Sequence, residues 1–140
     1  AMPAKPESAL YRRVKENLPN CHITRIESRV NLGIPDCLVA FPHGEFVMLE
    51  LKVVKRGRKV NLSPHQVAFH LKHADLRCPT YVLVQYYPPQ AVTVARSELL
   101  LYAGDQVLEL SKLGIELEPV GRWPWTGVPW HLLRQSLLTE

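Results

Sequence analysis

The segment GIPDCLVAFPHGEFVMLELKV, Gly33 to Val53, sets Asp36, Glu50 and Lys52 in an otherwise apolar stretch. Two carboxylates and an ammonium are groups that hold a hard cation and orient a water. Whether these three act together depends on strand register. Pro42-His43-Gly44 fits a three-residue hairpin loop, with proline first and glycine at the left-handed closing position. That loop pairs Phe41 with Glu45, Ala40 with Phe46, Leu38 with Met48, and Asp36 with Glu50. Cross-strand neighbours have β-carbons about 4.5–5.5 Å apart, and like charges so placed destabilise a sheet. A two-residue loop would shift the register and send Asp36 and Glu50 to opposite faces. Lys52 lies two residues along the Glu50 face, roughly 7 Å away.

Opposed carboxylates at neutral pH call for a positive charge between them, and a divalent cation with oxygen ligands answers that need. Lys52 can then orient a water or meet charge developing on a phosphate. The competing reading is a solvent-facing hairpin with scattered charges. Against it, Leu38, Ala40, Phe46 and Met48 share the charged face, and Cys37, Val39, Val47, Leu49, Leu51 and Val53 form the other. Apolar residues on both faces predict a hairpin buried on both sides, where carboxylates need partners.

The elements that must position these groups follow from periodicity. Leu10, Tyr11, Val14 and Leu18 recur at helical spacing over Glu7–Leu18, between Pro6 and Pro19. Strands are predicted over Cys21–Glu27, Pro35–Phe41, Glu45–Val54, Thr80–Tyr87 and Ala91–Ala95. The sequence LSPHQ opens a further helix: Ser63 is a good N-cap, Pro64 suits the first helical position, and Gln66 completes a capping box. Ser97–Ala103 and Gln106–Leu113 are predicted as short helices stopped by Gly104 and Gly114. Trp123, Trp125 and Trp130 then sit among prolines before an amphipathic helix near Pro129. The order predicts an α/β fold: a mixed β-sheet flanked by helices.

Gly33-Ile34-Pro35-Asp36, thirteen residues, Glu50-Leu51-Lys52, and then Leu62-Ser63-Pro64-His65-Gln66 together resemble the PD-(D/E)xK nuclease superfamily. The combination looks like its VRR-NUC branch and small phage-type nucleases, and archaeal Holliday-junction resolvases are similar in their core. The resemblance spans Glu7 to about Ala95. It implies a restriction-endonuclease-like core, dependence on Mg²⁺ with Mn²⁺ as substitute, and hydrolysis of DNA phosphodiesters. It also implies that Asp36 and Glu50 bind metal, that Lys52 is the catalytic lysine, and that Gln66 lies near the site.

Such nucleases often carry one further acid before the PD. Glu7 and Glu27 compete for it. Glu7 lies on the apolar arc of the first helix at 100° per residue, whereas Glu16 points away. Glu27 lies nine residues before Asp36 and can instead pair with Arg25 or Arg29. Helix phase favours Glu7.

Lys55, Arg56, Arg58 and Lys59 crowd the loop that follows the charged strand. After a candidate active site, such a cluster reads as a phosphate grip. His65, His70 and His73 share one helix with Asp75 nearby. They read as surface residues or phosphate contacts, with a transition-metal pair at His70 and His73 as the alternative.

The bulk properties fit these readings. The chain has 140 residues, 46% hydrophobic and 21% charged, which suits one globular domain. The expected division is a nuclease domain over 3–118 and an extension over 119–140, packed on that domain or at a dimer interface. A net charge of +4 is mildly basic and compatible with a DNA partner. No apolar run approaches the ~18 residues of a membrane span, and no secretory leader pattern opens the chain. Three widely spaced cysteines point to free thiols and a cytoplasmic setting. There is no helix-turn-helix or zinc-finger pattern, so the substrate expected is branched, flapped or junction DNA rather than a specific sequence. No organic cofactor is expected. Cutting both strands would need two copies, hence a homodimer. The alternative from another class is a DNA-binding module that keeps the fold without the chemistry.

Overall fold

The computed structural model describes residues 5–27, 30 and 32–138. Six strands form one sheet in sequence order, β1 (His22–Arg25), β2 (Cys37–Ala40), β3 (Phe46–Val54), β4 (Thr80–Tyr86), β5 (Glu98–Ala103) and β6 (Gly121–Pro124). The β3–β4 pair is parallel and the other four are antiparallel, so the sheet is mixed. A parallel pair needs a crossover connection. Here it is the basic loop followed by helix α2 (Pro64–Asp75). Helices α1 (Lys5–Asn17), α3 (Val107–Leu113) and α4 (Trp130–Leu138) complete the α/β architecture.

The sheet separates two apolar cores. On one face Leu10 and Val14 of α1, Leu18 just past its end, and Leu133 and Leu137 of α4 pack against Val39, Leu49, Leu83 and Leu101. On the other, Val67 of α2 and Val107 and Leu110 of α3 cover Val82, Val84, Leu100 and Tyr102. The second cover lies over β4 and β5. Its absence from β2 and the start of β3 leaves Leu38, Ala40 and Met48 half-buried and Phe46 56% exposed. The hairpin is therefore buried on one side and open on the other, which corrects the expectation of burial on both. That opening makes the charged face reachable.

The hairpin register is the one a three-residue loop dictates: Ala40 faces Phe46 and Leu38 faces Met48, with the Phe41 N–H donating to the Glu45 carbonyl at 2.8 Å. Gly44 takes the left-handed position (φ 88°), and His43 joins it at φ 74°.

Three segments differ from the sequence-based expectation. Ser97–Ala103 was predicted helical, but Glu98–Ala103 is strand β5, with Leu99 and Leu101 facing one core and Leu100 and Tyr102 the other. A short all-apolar run has no periodicity to separate a buried strand from a helix. With β5 beside β4, the predicted strand Ala91–Ala95 has no edge to join. It is a loop ending in a 3-10 turn, with Val92 88% exposed. Gly104 consequently closes a strand rather than stopping a helix. Strand β6 was not foreseen. It carries half-buried Trp123 onto the α1 and α4 face, and buried Trp125 follows it under the Arg13 guanidinium, 4.2 Å from the ring centroid. Residues 121–138 thus extend the same sheet and the same core.

Candidate active site

Glu50 is the least ordinary residue of the sheet. It sits mid-strand in β3, opposite Val82 of β4, with 2% of its surface exposed. Asp36 immediately precedes β2, and continuing the hairpin register by one residue sets it beside Glu50. The ladder ends at Cys37–Leu49, and the Asp36 carboxylate takes over where strand pairing stops: the Leu51 N–H donates to its Oδ2 at 2.7 Å. The Asp36 carbonyl accepts from the Ile26 N–H at 2.8 Å. The aspartate is held by backbone from both neighbouring segments.

Gly33 fixes the loop that delivers Asp36. Its φ is +74°, and a β-carbon there would lie 2.2 Å from the His65 carbonyl oxygen. Only glycine allows this left-handed backbone to press against the start of α2 at no steric cost.

The start of α2 supplies Gln66, the third residue of its first turn. The capping box forms as expected from the sequence: the Gln66 N–H donates to Ser63 Oγ at 3.1 Å, and Gln66 Oε1 accepts from the Ser63 N–H at 2.9 Å. The same amide also joins the two charged residues of β3. Its Oε1 accepts from Lys52 Nζ at 3.0 Å, and its Nε2 donates to Glu50 Oε2 at 3.1 Å. A helix cap and a site linker are one side chain.

Electrostatics follow from this crowding. The Glu50 carboxyl is pushed up to about 9, first by burial and then by the negative charge of Asp36. Lys52 opposes the rise, while a hydrogen bond with the Asp36 carboxyl and the charge of Glu7 add to it. The second Glu50 oxygen, Oε1, is buried and accepts no hydrogen bond. It faces Nε2 of fully buried His70 at 3.6 Å. This approach is not an ion pair at neutral pH. Burial, with His73 and Lys52 nearby, lowers the His70 imidazole to about 4 and keeps it neutral.

Of the two rival acids, Glu7 lies half-buried in the first turn of α1 and its charge reaches Glu50. Glu27 lies past the end of β1 and is exposed. Asp36, Glu50, Lys52, Gln66 and Glu7 therefore share one neighbourhood. Among the described residues, no group of three or more His, Cys, Asp or Glu side chains sits at metal-holding spacing. The oxygen donors that remain are the Asp36–Glu50 pair, one of whose buried oxygens lacks a donor. An adjacent pair of carboxyl groups that offers only oxygen donors fits a hard divalent cation. It does not suit the transition-metal alternative: His73 stacks on Phe69 and bonds its carbonyl, while His70 Nδ1 bonds Thr80 Oγ1 at 2.7 Å.

The basic loop rises from the end of β3. Lys55, Arg56, Arg58 and Lys59 are all exposed. Arg58 is committed to an ion pair with Glu116, and its carbonyl accepts from the Ile115 N–H at 2.9 Å, which anchors the loop. Lys55 and Arg56 border a hollow of about 570 Å³ shared with Tyr86, Tyr87 and Pro88. A larger hollow of about 640 Å³ lies near Phe46, Arg77 and Cys78; Thr80 lines it, but Asp36, Glu50, Lys52, Gln66 and Glu7 do not. Of the charged groups, Asp36 and Lys52 are half-buried and Glu50 is buried.

His70 and Thr80 escaped the sequence reading as parts of this neighbourhood. The available signal was helical: His70 is four residues after Gln66, hence on its face.

No family model and no curated protein sequence matches the chain. Among solved structures, it is similar to that of Hjc, a Holliday junction resolvase from the archaeal hyperthermophile Archaeoglobus fulgidus. The identity is 13%, with 73% of this chain and 75% of that chain covered and a TM-score of 0.48. No helix among the described residues is long and apolar enough to cross a membrane.

Proposed function

We propose that this chain is a metal-dependent deoxyribonuclease that hydrolyses phosphodiester bonds, with Asp36 and Glu50 as ligands for Mg²⁺ or Mn²⁺. The observation that carries the reading is Glu50, a buried carboxyl beside a second carboxylate with one oxygen accepting no hydrogen bond. Nothing in packing requires that arrangement, and burying it without a counter-charge is costly. When bound, the cation supplies Lewis-acid polarisation of the scissile phosphate.

The chain's own residues do the rest. Asp36, braced by the Leu51 N–H, and Glu50, braced by Gln66, hold the anionic side of the site. Lys52 Nζ, aimed by Gln66 Oε1, orients the attacking water and meets charge developing on the phosphate. Glu7 adds a further acid at the margin. Lys55, Arg56 and Lys59 grip backbone phosphates and give affinity without sequence preference. The open face beside β2 admits a duplex or a branch point, so structure-selective cleavage of branched, flapped or junction DNA is the substrate proposed. Cutting paired strands calls for two copies, and a homodimer belongs to the proposal.

The test is incubation with labelled branched, nicked and linear DNA in Mg²⁺, Mn²⁺ or EDTA. Cleavage is expected with either metal and none with EDTA. Lys52→Ala should bind DNA and not cut it. DNA binding without cleavage by the wild type under every condition would favour a non-catalytic binding module instead.

A further inference from the structure

His70 has no exposed surface, yet an imidazole is polar on two sides. Nδ1 is satisfied by Thr80 Oγ1 at 2.7 Å. Nε2 is buried without a hydrogen-bond partner, and the atom it faces, Glu50 Oε1, lacks one too. The two stand 3.6 Å apart. Two buried, unsatisfied atoms facing each other are rare in folded proteins and ask for an explanation. The terminal carboxyl bond is soft, and a shift of about 0.4 Å would bring the two atoms into hydrogen-bond range.

The surroundings are shaped to keep this pair. Gly104, at the end of β5, does not have the positive φ that calls for glycine. It is glycine for space: a β-carbon there would lie 2.1 Å from Thr80 Oγ1 and 3.4 Å from His70 Nδ1. The Thr80 hydroxyl and the His70 ring occupy the room a side chain would take.

We infer that Thr80, His70 and Glu50 form a buried relay in which His70 is a positioning residue that orients Glu50 as a metal ligand. The inference rests on the nuclease reading above. Direction follows from chemistry. As a metal ligand Glu50 is an ionised carboxylate, and Nε2 facing it must carry the proton, because a bare ring nitrogen would repel it. Nδ1 then accepts, and the Thr80 hydroxyl donates to it. Gln66 braces Oε2 from the solvent side and His70 braces Oε1 from within. Such outer partners of a ligand typically change metal affinity by about 10–100-fold when removed.

Glutamine and asparagine separate the two ring nitrogens. The side-chain nitrogen of glutamine can stand where Nε2 stands, and that of asparagine where Nδ1 stands. Mn²⁺ affinity, read from the electron paramagnetic resonance of free Mn²⁺, is measured for wild type, His70→Gln, His70→Asn and Thr80→Val, alongside DNA cleavage. His70→Asn is expected to weaken Mn²⁺ about tenfold or more, and His70→Gln to stay within about threefold of wild type. Thr80→Val, which nearly preserves shape, should fall between them because the ring loses its fixed tautomer. Cleavage by these variants should recover at saturating Mn²⁺, as expected for a group acting through the ligand. Equal Mn²⁺ affinity in all four proteins would overturn the role of His70 and leave the nuclease reading standing. Equal weakening by His70→Gln and His70→Asn would reduce His70 to packing. Absence of Mn²⁺ binding by wild type would overturn both readings.

Discussion

Replacing Glu50 with glutamine should make the metal-free protein more stable at neutral pH. In the unfolded chain the carboxyl titrates at its ordinary value, 4.5, whereas in the fold burial and the Asp36 charge raise it to about 9. A group raised on folding contributes its full stability below the unfolded value. That contribution is lost as pH rises through the folded value. At pH 7 the unfolded Glu50 is ionised and the folded one is not, so folding must take up a proton. The cost is the gap between pH 7 and 4.5 at about 1.4 kcal/mol per unit, or about 3 kcal/mol. Glutamine is neutral at every pH, nearly isosteric, and can still accept from Gln66 Nε2.

The measurement is urea unfolding of both proteins in EDTA from pH 4 to 9.5. Near pH 4.5 and below the two should be equally stable. By pH 7 the variant should lead by up to about 3 kcal/mol, or roughly 10 °C in Tm for a chain of this size. The gap should widen further to about pH 9 and then level. Taking the difference between the proteins cancels the other titrating groups. Mn²⁺ should close most of the gap at a hundredfold excess over Kd, adding about 2.7 kcal/mol to wild type and nothing to the variant, and should reverse the order at a thousandfold excess, where it adds about 4.1 kcal/mol. A gap that does not change with pH, or a variant less stable at pH 7, would refute the argument that Glu50 is buried without compensation.

Four further outcomes are expected. Glu7→Gln should lower cleavage and Glu27→Gln should not, as read by initial rates on one labelled branched substrate. Replacing Lys55, Arg56 and Lys59 together with alanine should flatten the plot of log affinity against log salt by about 0.9 per lost contact, in equilibrium binding titrations. Arg58→Ala should flatten it less, since that side chain is paired with Glu116. Gly33→Ala should cost about 2–4 kcal/mol in urea unfolding, combining left-handed strain with overlap on the His65 carbonyl. His70→Gln should gain on wild type as pH falls from 6.5 toward 4, because the lowered imidazole resists the proton that the unfolded chain accepts.

The hairpin register was legible in advance because a local rule dictates it: Pro42-His43-Gly44 sets the loop length, and loop length sets which residues face each other. The α2 start was legible for the same reason, since Ser63, Pro64 and Gln66 act on backbone groups within one turn. Helix phase likewise separated Glu7 from Glu16. Strand β5 was misread because Leu99, Leu100 and Leu101 are equally buried, and burial on both faces erases the period that would mark a strand. Only the sheet order showed that β5 takes the edge of β4 that Ala91–Ala95 was expected to fill.

Sequence alone determined that Asp36, Glu50 and Lys52 share one face and that Gln66 caps the next helix, because each depends on contacts a few residues apart. Tertiary structure decided which face stays open, that one Gln66 amide serves Lys52 and Glu50 together, and that His70 stands behind Glu50. Those depend on where α2 crosses the sheet, and that is set by two cores packing at once rather than by any local run of residues.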